Sequence, residues 1–390
     1  MPQAQKQRTH ELHGSATFPA RIRYACHVVA ALILQCFNAA RGENQADYRF
    51  EFYAEEDDRM VIKTHTAYFE QQIIGSLTAR GELVYDGISG STPTGTYRVS
   101  PMSGLIREVH LEDIRRALHF ELDGKLANHS ITPGFAYSQE SDYTSYGISL
   151  SDAIEFNQKN TTFQFGASHN FDSVQRSGNP FPHDQDKDST EVIFGISQLL
   201  SPNTIFSADF TFGYESGFLS DPYRQAEFVY PLHTLGVVRY ENRPSERSKE
   251  VFLTSLTQFI DPLNGSLEIS YRLYHDSFDV FAHTASLTWH QWLAGRLMLE
   301  PAFRLYEQSA ASFYAPLFFD DPANVKHYSA DYRLSNFYSL DYGLQATFLI
   351  DENMRVIVGY HRYEMVGLDS TVSSMYPSAN IYTVGVSFLW

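Results

Sequence analysis

The chain has 390 residues, 43% of them hydrophobic and 15% aromatic, with 25 Tyr and 29 Phe. Its 46 acidic side chains outnumber 29 basic ones, for a formal net charge of -17. Phosphate contacts need Lys and Arg, so this balance argues against a nucleic-acid binder.

The N-terminal 40 residues stand apart. Lys6, Arg8, Arg21 and Arg23 precede the apolar stretch Tyr24 to Phe37, which runs into Asn38-Ala39-Ala40. A basic leader, an apolar run and small residues are the pattern of a secretory signal. The expected organisation is therefore a signal peptide over 1–40 and a mature body over 41–390. A lipoprotein signal at Ile33-Leu34-Gln35-Cys36 is the alternative, with Gln35 where a small residue belongs. Both cysteines, Cys26 and Cys36, fall in this segment, so cleavage near Ala40 leaves no disulfide or thiolate metal site. Beyond it no stretch approaches the 18 apolar residues of a membrane-crossing helix.

From Asp47 onward apolar and polar residues alternate, as a sheet with one apolar face requires. The pattern predicts strands over 47–54, 60–73, 77–89, 107–122, 129–140, 144–155, 161–171, 190–200, 203–214, 249–260, 264–276, 281–292, 296–308, 334–349, 353–365 and 379–390. Even-numbered strands end in short turns such as Ile74-Gly75-Ser76, Ser201-Pro202-Asn203 and Leu293-Ala294-Gly295, built from residues that close tight turns. The long connections, 90–106, 172–189, 215–248, 309–333 and 366–378, all fall at the opposite ends. A soluble sandwich has no reason to sort its loops by parity. A closed antiparallel transmembrane β-barrel of about sixteen strands does, with short periplasmic turns and long extracellular loops.

The final segment is the most regular. Tyr382, Val384, Val386, Phe388 and Trp390 share one face, and Phe388 and Trp390 make the aromatic end expected of an assembly signal read by the barrel-assembly machinery. Counting from lipid-facing residues puts Arg49, Glu51, Arg80, Glu82, Glu121, Asp209, Glu268, Arg272, Asp276, Glu300, Arg304, Asp341 and Arg355 inside, with His119, His290 and His361. So many charges cannot lie in a dry core. Glu268, Arg272 and Asp276 are expected to form a charged ladder on the lumen wall. Glu300 and Arg304 are expected to form another two strands away, and Asp341 adds to the same lining.

Several stretches are shared with a known family. They are EEDDRM at Glu55 to Met60, YDGISGSTPTG at Tyr85 to Gly95, QESDYTSYG at Gln139 to Gly147 and SPNT at Ser201 to Thr204. GFLSDPYR at Gly217 to Arg224, YRLYHDSFDVFAHT at Tyr271 to Thr284, RLYEQSAASFY at Arg304 to Tyr314 and HYSADYRLSNF at His327 to Phe337 complete the set. On these the chain resembles the bacterial outer-membrane barrel family catalogued as domain of unknown function 3570. The resemblance implies an exported barrel without an assigned reaction, encoded in the neighbourhood of periplasmic redox and flavin-attachment proteins.

No GxSxG, HExxH, GxGxxG or phosphate-cradling loop is present. The expectation is no enzyme, no cofactor and no catalytic or metal residue. Asp184, Asp186, Asp188 and Glu191 resemble the start of a calcium loop, but Ser189 replaces the turn glycine, and a solvated acidic loop is the preferred reading. The function expected is a pore or transporter for small hydrophilic solutes or ions. The alternative is a non-conducting platform that docks a periplasmic or surface partner, in a redox assembly for example. Outer-membrane lipid is the expected surroundings of either.

Overall fold

A computed structural model describes residues 44–97, 105–175, 184–229, 236–369 and 371–390. The expected signal peptide lies outside these residues. The alternating segments form β1 (Gln45–Glu55), β2 (Met60–Ile74), β3 (Leu77–Tyr97), β4 (Ile106–Leu126), β5 (His129–Gln139) and β6 (Tyr143–Phe156). They continue as β7 (Thr161–Val174), β8 (Gln185–Ser201), β9 (Thr204–Gly217), β10 (Gln225–Phe228), β11 (Val237–Tyr240) and β12 (Glu246–Ile260). The last are β13 (Gly265–Asp276), β14 (Phe281–Leu293), β15 (Leu297–Gln308), β16 (Phe337–Leu349), β17 (Met354–Gly367) and β18 (Ser378–Leu389).

All but β10 and β11 join one closed antiparallel barrel of sixteen strands, sealed by β1 against β18 in the register Gln45↔Leu389 to Glu55↔Ala379. Closure removes every sheet edge, so the ladder satisfies the backbone without water. No helix among the described residues is long and apolar enough to cross a membrane. The strands do the crossing.

The outer face is apolar. Phe165, Phe194, Phe210, Ile269, Leu344 and Val384 all project outward and are exposed. Towards the long-loop ends Tyr137 and Tyr146 pack 5.1 Å apart, and nearer mid-strand Tyr360 and Tyr382 are 5.3 Å apart. Nearer the short turns Phe156 and Phe163 meet edge to face at 5.6 Å. An apolar band between aromatic girdles, on an even strand count, marks an outer-membrane barrel.

The parity of turns and long connections is as the sequence predicts, but three connections are more ordered than expected. First, β3 and β4 run on through 90–97 and from 106, pairing as far as Pro93↔Glu108 before a register shift at Tyr97. Gly95, at φ +93°, permits this path: a Cβ there would meet the carbonyl oxygens of Gln225 and Ala330 at 2.6 and 2.9 Å. Second, β8 starts at Gln185, so Asp186 and Asp188 lie on one face of a strand and Glu191 on the other. These residues do not converge, and the expectation of an acidic loop at 184–188 is corrected. Third, β10 and β11 pair within the 215–248 connection.

That hairpin packs with 309–336 and 366–377 into a folded cap at the long-loop end. Its apolar clusters include Ala226, Phe228, Phe318 and Tyr328, then Phe278, Val280, Ala311 and Leu334, then Tyr332, Phe337, Met375 and Tyr376. Tyr306 and Tyr363, inward-facing residues of β15 and β17, pack against the third cluster. The cap therefore sits against the inner wall at the extracellular mouth. The first residue of β16 shifts from the expected 334 to Phe337 because Tyr332–Leu334 forms a 3-10 turn capped by Asp331.

Candidate functional site: a charged lumen beneath a folded cap

Strand alternation dictates which charges share the lumen. The register puts each expected inward residue, from Arg49 to Arg355, on the face opposite the exposed apolar side chains. One of them does not line open space. Asp276 is 1% exposed and belongs to the cap floor: Arg247 Nη2 reaches it at 2.5 Å, and the amides of Phe278 and Val280 donate to it at 2.9 and 3.0 Å. The three-residue ladder on β13 is thereby corrected to Glu268 and Arg272. The tight turn Ser277–Val280 needs an acceptor for its amides, and Asp276 supplies it.

The remaining charges separate by sector. On β13, β15, β17 and β1, the guanidiniums of Arg272, Arg304, Arg355 and Arg49 make no ion pair among the described residues. Glu51, two residues along β1 from Arg49, likewise makes no ion pair among the described residues, while Asp341, Glu300 and Glu268 lie beside histidines. Asp341 Oδ1 lies 2.9 Å from His361 Nδ1. Glu300 lies 3.0 Å from His290 Nδ1 and accepts from Gln345 Nε2 at 2.9 Å, while Glu268 is 3.8 Å from His290 Nε2.

The facing sector, β3 to β9, has the opposite character. Counting round the closed order, β9 faces β1 and β3 faces β13. Here Arg80 is paired with Glu70 and Asp123, Arg115 with Asp86 at 2.6 Å, and Lys187, with Lys249 of the adjoining β12, with Glu215. Glu82 and Asp209 face the lumen without a cation partner among the described residues. Between them β4 carries Glu121, 3.5 Å from His119, and the wall beyond is smooth, with Gly134 and Ala136 on β5, Ser145 and Gly147 on β6, and Gly166 and Ser168 on β7. Glycine lets neighbours lie flat: Ser149 lies over Gly134, Asn170 over Gly147 and Asp209 over Gly195.

The cap is held by charges that sequence reasoning missed. Asp331, 1% exposed, receives Arg243 Nη2 at 2.8 Å and Arg333 Nη2 at 2.6 Å, with Arg224 Nε at 3.7 Å. Asp221 pairs with Arg333 at 2.5 Å, and Glu241 pairs with Arg243 at 2.8 Å and accepts from Ser329 Oγ at 2.5 Å. Burial alone would push the Asp331 carboxyl up. The guanidiniums of Arg333, Arg224 and Arg243 outweigh it and hold the group well below the usual carboxylate range. Asp221 is likewise held down by Arg333 and Arg224 against its burial. Burial wins at Glu241, pushing it up despite Arg243, with repulsion from Asp331 adding. Ties to the barrel come from Arg224 Nη2 to Thr92 Oγ1 at 2.9 Å, Tyr97 N to Glu227 at 3.1 Å and the Tyr223 hydroxyl to Asp142.

A signal for this knot was present in the sequence. Asp221 and Arg224 stand in GFLSDPYR, and Asp331 and Arg333 in HYSADYRLSNF, two of the stretches that carry the family resemblance. Period-two counting ignores them because they lie between strands. Two other features occupy the same end. A cavity of about 570 Å³ opens beside the ends of β8 and β9, lined by Phe218, Arg239, Tyr240, Arg243 and Tyr328 among others. Among the described residues one carboxylate trio, Asp113, Glu140 and Asp142, brings ligand oxygens within 4.8 Å of one another. Ser141 N and Oγ donate to Asp113 there.

Comparison with known proteins gives a family and a likeness of fold. The model of a family described as "Protein of unknown function (DUF3570)" matches residues 97–372. No curated protein is similar to the sequence. Among solved structures, the siderophore receptor PirA from Acinetobacter baumannii is 9% identical, covering 84% of this chain and 54% of its own, with a TM-score of 0.44. The chain thus spans about half the length of that receptor. OmpT of Vibrio cholerae is 10% identical over 89% of this chain and 97% of its own, with a TM-score of 0.43. A bacterial polysaccharide outer membrane secretin is 9% identical over 90% and 100%, with a TM-score of 0.48. At these values the architecture rests on this chain's own strands and register.

Proposed function

Since the chain belongs to the DUF3570 family, whose description assigns no activity, we propose from its own lumen that it is a pore or transporter for small hydrophilic solutes or ions, and not an enzyme. The observation that carries this reading is the segregation of inward charge. Four arginines without an ion pair among the described residues line one sector, with Glu51 among them, and Glu82 and Asp209 stand across from them over a wall that is mostly Gly, Ala and Ser from β5 to β7. Unpaired charges need water, because burying them dry costs several kcal/mol or more each. Barrels of about sixteen strands enclose an aqueous channel. Opposed charges on low-dielectric walls set a field across the path, which favours polar solutes able to align with it.

Purified protein in planar bilayers should give discrete conductance steps. Glu82→Gln with Asp209→Asn should shift the reversal potential in a salt gradient towards anions. A barrel that inserts but never conducts would overturn the pore. One observation favours the other reading: the cap is packed and charge-locked, and so presents a fixed surface on which a partner could dock. That platform predicts a stoichiometric co-purifying protein without conductance.

A further inference from the structure

We propose that Arg272 and Arg304 form a binding site for a small solute bearing an oxyanion, a carboxylate or a phosphate, directly beneath the cap. Both project inward, two strands apart. Arg272 pairs across β14 with Thr284, and Arg304 with Ser286. At about 4.8 Å per strand and about 6.8 Å per inward step, their Cα atoms are separated by little more than the combined reach of two arginine side chains. Only the short Thr284 and Ser286 stand between them, so both guanidiniums can lie over one floor.

Tyr306 stands beside this floor, close enough that both arginines bear on its phenol electrostatically. Its hydroxyl donates to Gln308 at 2.6 Å, and Gln308 in turn donates to the Arg333 and Ser335 carbonyls of the cap at 3.0 and 2.8 Å. The Arg272 guanidinium lies 5.5 Å from the Tyr274 ring centroid, a cation–π contact that positions it without neutralising it.

The site is not neutralised from within. Acidic side chains outnumber basic ones by 46 to 29, yet neither arginine has a carboxylate partner among the described residues. The candidates are held elsewhere. Asp341, the cross-strand neighbour of Arg304, is engaged by His361, and Asp276, farther along β13 from Arg272, is taken by Arg247. The guanidinium fork matches carboxylate and phosphate oxygens bidentately, which a histidine or lysine pair would not. This inference names a solute class for the proposed pore and rests on that reading for its meaning, though its test does not require conduction.

The full chain in detergent should be titrated calorimetrically with inorganic phosphate and, separately, with succinate, both against a sodium chloride background. Binding of one or both is expected, and the anion bound more tightly identifies the oxyanion class. Arg272→Gln with Arg304→Gln should weaken it at least tenfold, Arg272→Lys with Arg304→Lys should restore part of the loss, and Arg296→Gln, in the short turn before β15, should leave it unchanged. Heat-modifiable gel mobility verifies closure of each variant, and either single arginine variant stands in if the double variant does not close. Absence of binding to wild-type protein, or equal binding by the glutamine variants, would overturn the site. Binding without conductance would remove the pore and keep the site, and conductance without binding would do the reverse.

Discussion

The barrel wall turns Phe165, Phe194 and Phe210 outward and its charges inward, while the cap buries Phe228, Phe278 and Met375 and locks its charges among themselves. The two regions follow the same rule under different solvents. Where lipid surrounds the wall, apolar surface faces out and the backbone is satisfied by closure. Where water surrounds the cap, apolar surface collapses inward as in a soluble domain. The difference predicts two kinds of failure: the wall should fail by not closing, and the cap by loosening on a barrel that stays intact.

The largest effect is expected at the closing strand. Phe388→Ala with Trp390→Ala should abolish insertion, because Phe388 lies on the lipid face of the strand that seals β1 to β17. Loss of heat-modifiable mobility in gels is the expected outcome, and wild-type yield and mobility would contradict it.

The cap gives a smaller effect with a sign that depends on the residue. Asp331→Asn leaves Arg224, Arg243 and Arg333 sharing one carboxylate fewer, and breaking a buried pair costs about 3 kcal/mol. Part of this is tempered because Arg333 is half exposed. Amide exchange over Gln225–Phe228 and Tyr328–Leu334 should quicken about a hundredfold on that figure, with the barrel strands unchanged. Glu241→Gln should quicken exchange less than this, because burial opposes the charge it removes and the amide keeps an acceptor for Ser329 Oγ. The pH signs follow. Asp221 and Asp331 titrate lower in the cap than unfolded, so their stabilisation is present above the ordinary carboxylate range and lost as pH falls through their lowered values. Glu241 titrates higher, so its share grows as pH falls and is lost as pH rises through its raised value. Wild-type exchange over these segments in the Asp331 variant would show that the knot does not hold the cap.

The smallest effect concerns the wall charges tied to histidine. Glu268→Gln with Glu300→Gln should shift the reversal potential towards anions by less than Glu82→Gln with Asp209→Asn does, because His290 shares the first pair. A larger shift from the first pair would place the ion path along β13 to β15.

The amino-acid sequence by itself determined the strands, their parity and the side on which each residue falls. Alternation is local: Leu267, Ile269 and Tyr271 declare the lipid face, and with it place Glu268 and Arg272 inside, whatever the rest of the chain does. Turn residues such as Asn264, in the left-handed conformation at φ 48°, likewise act within a few bonds. Tertiary structure alone decided which inward charges are free. Asp276 and Arg272 look alike by counting, yet Arg247 and two turn amides take the first, while the second makes no ion pair among the described residues. The cap was hidden for the same reason. Arg224, Arg243 and Arg333 reach Asp331 from separate parts of two long connections, and no periodicity encodes a meeting that depends on how those loops fold back over the mouth.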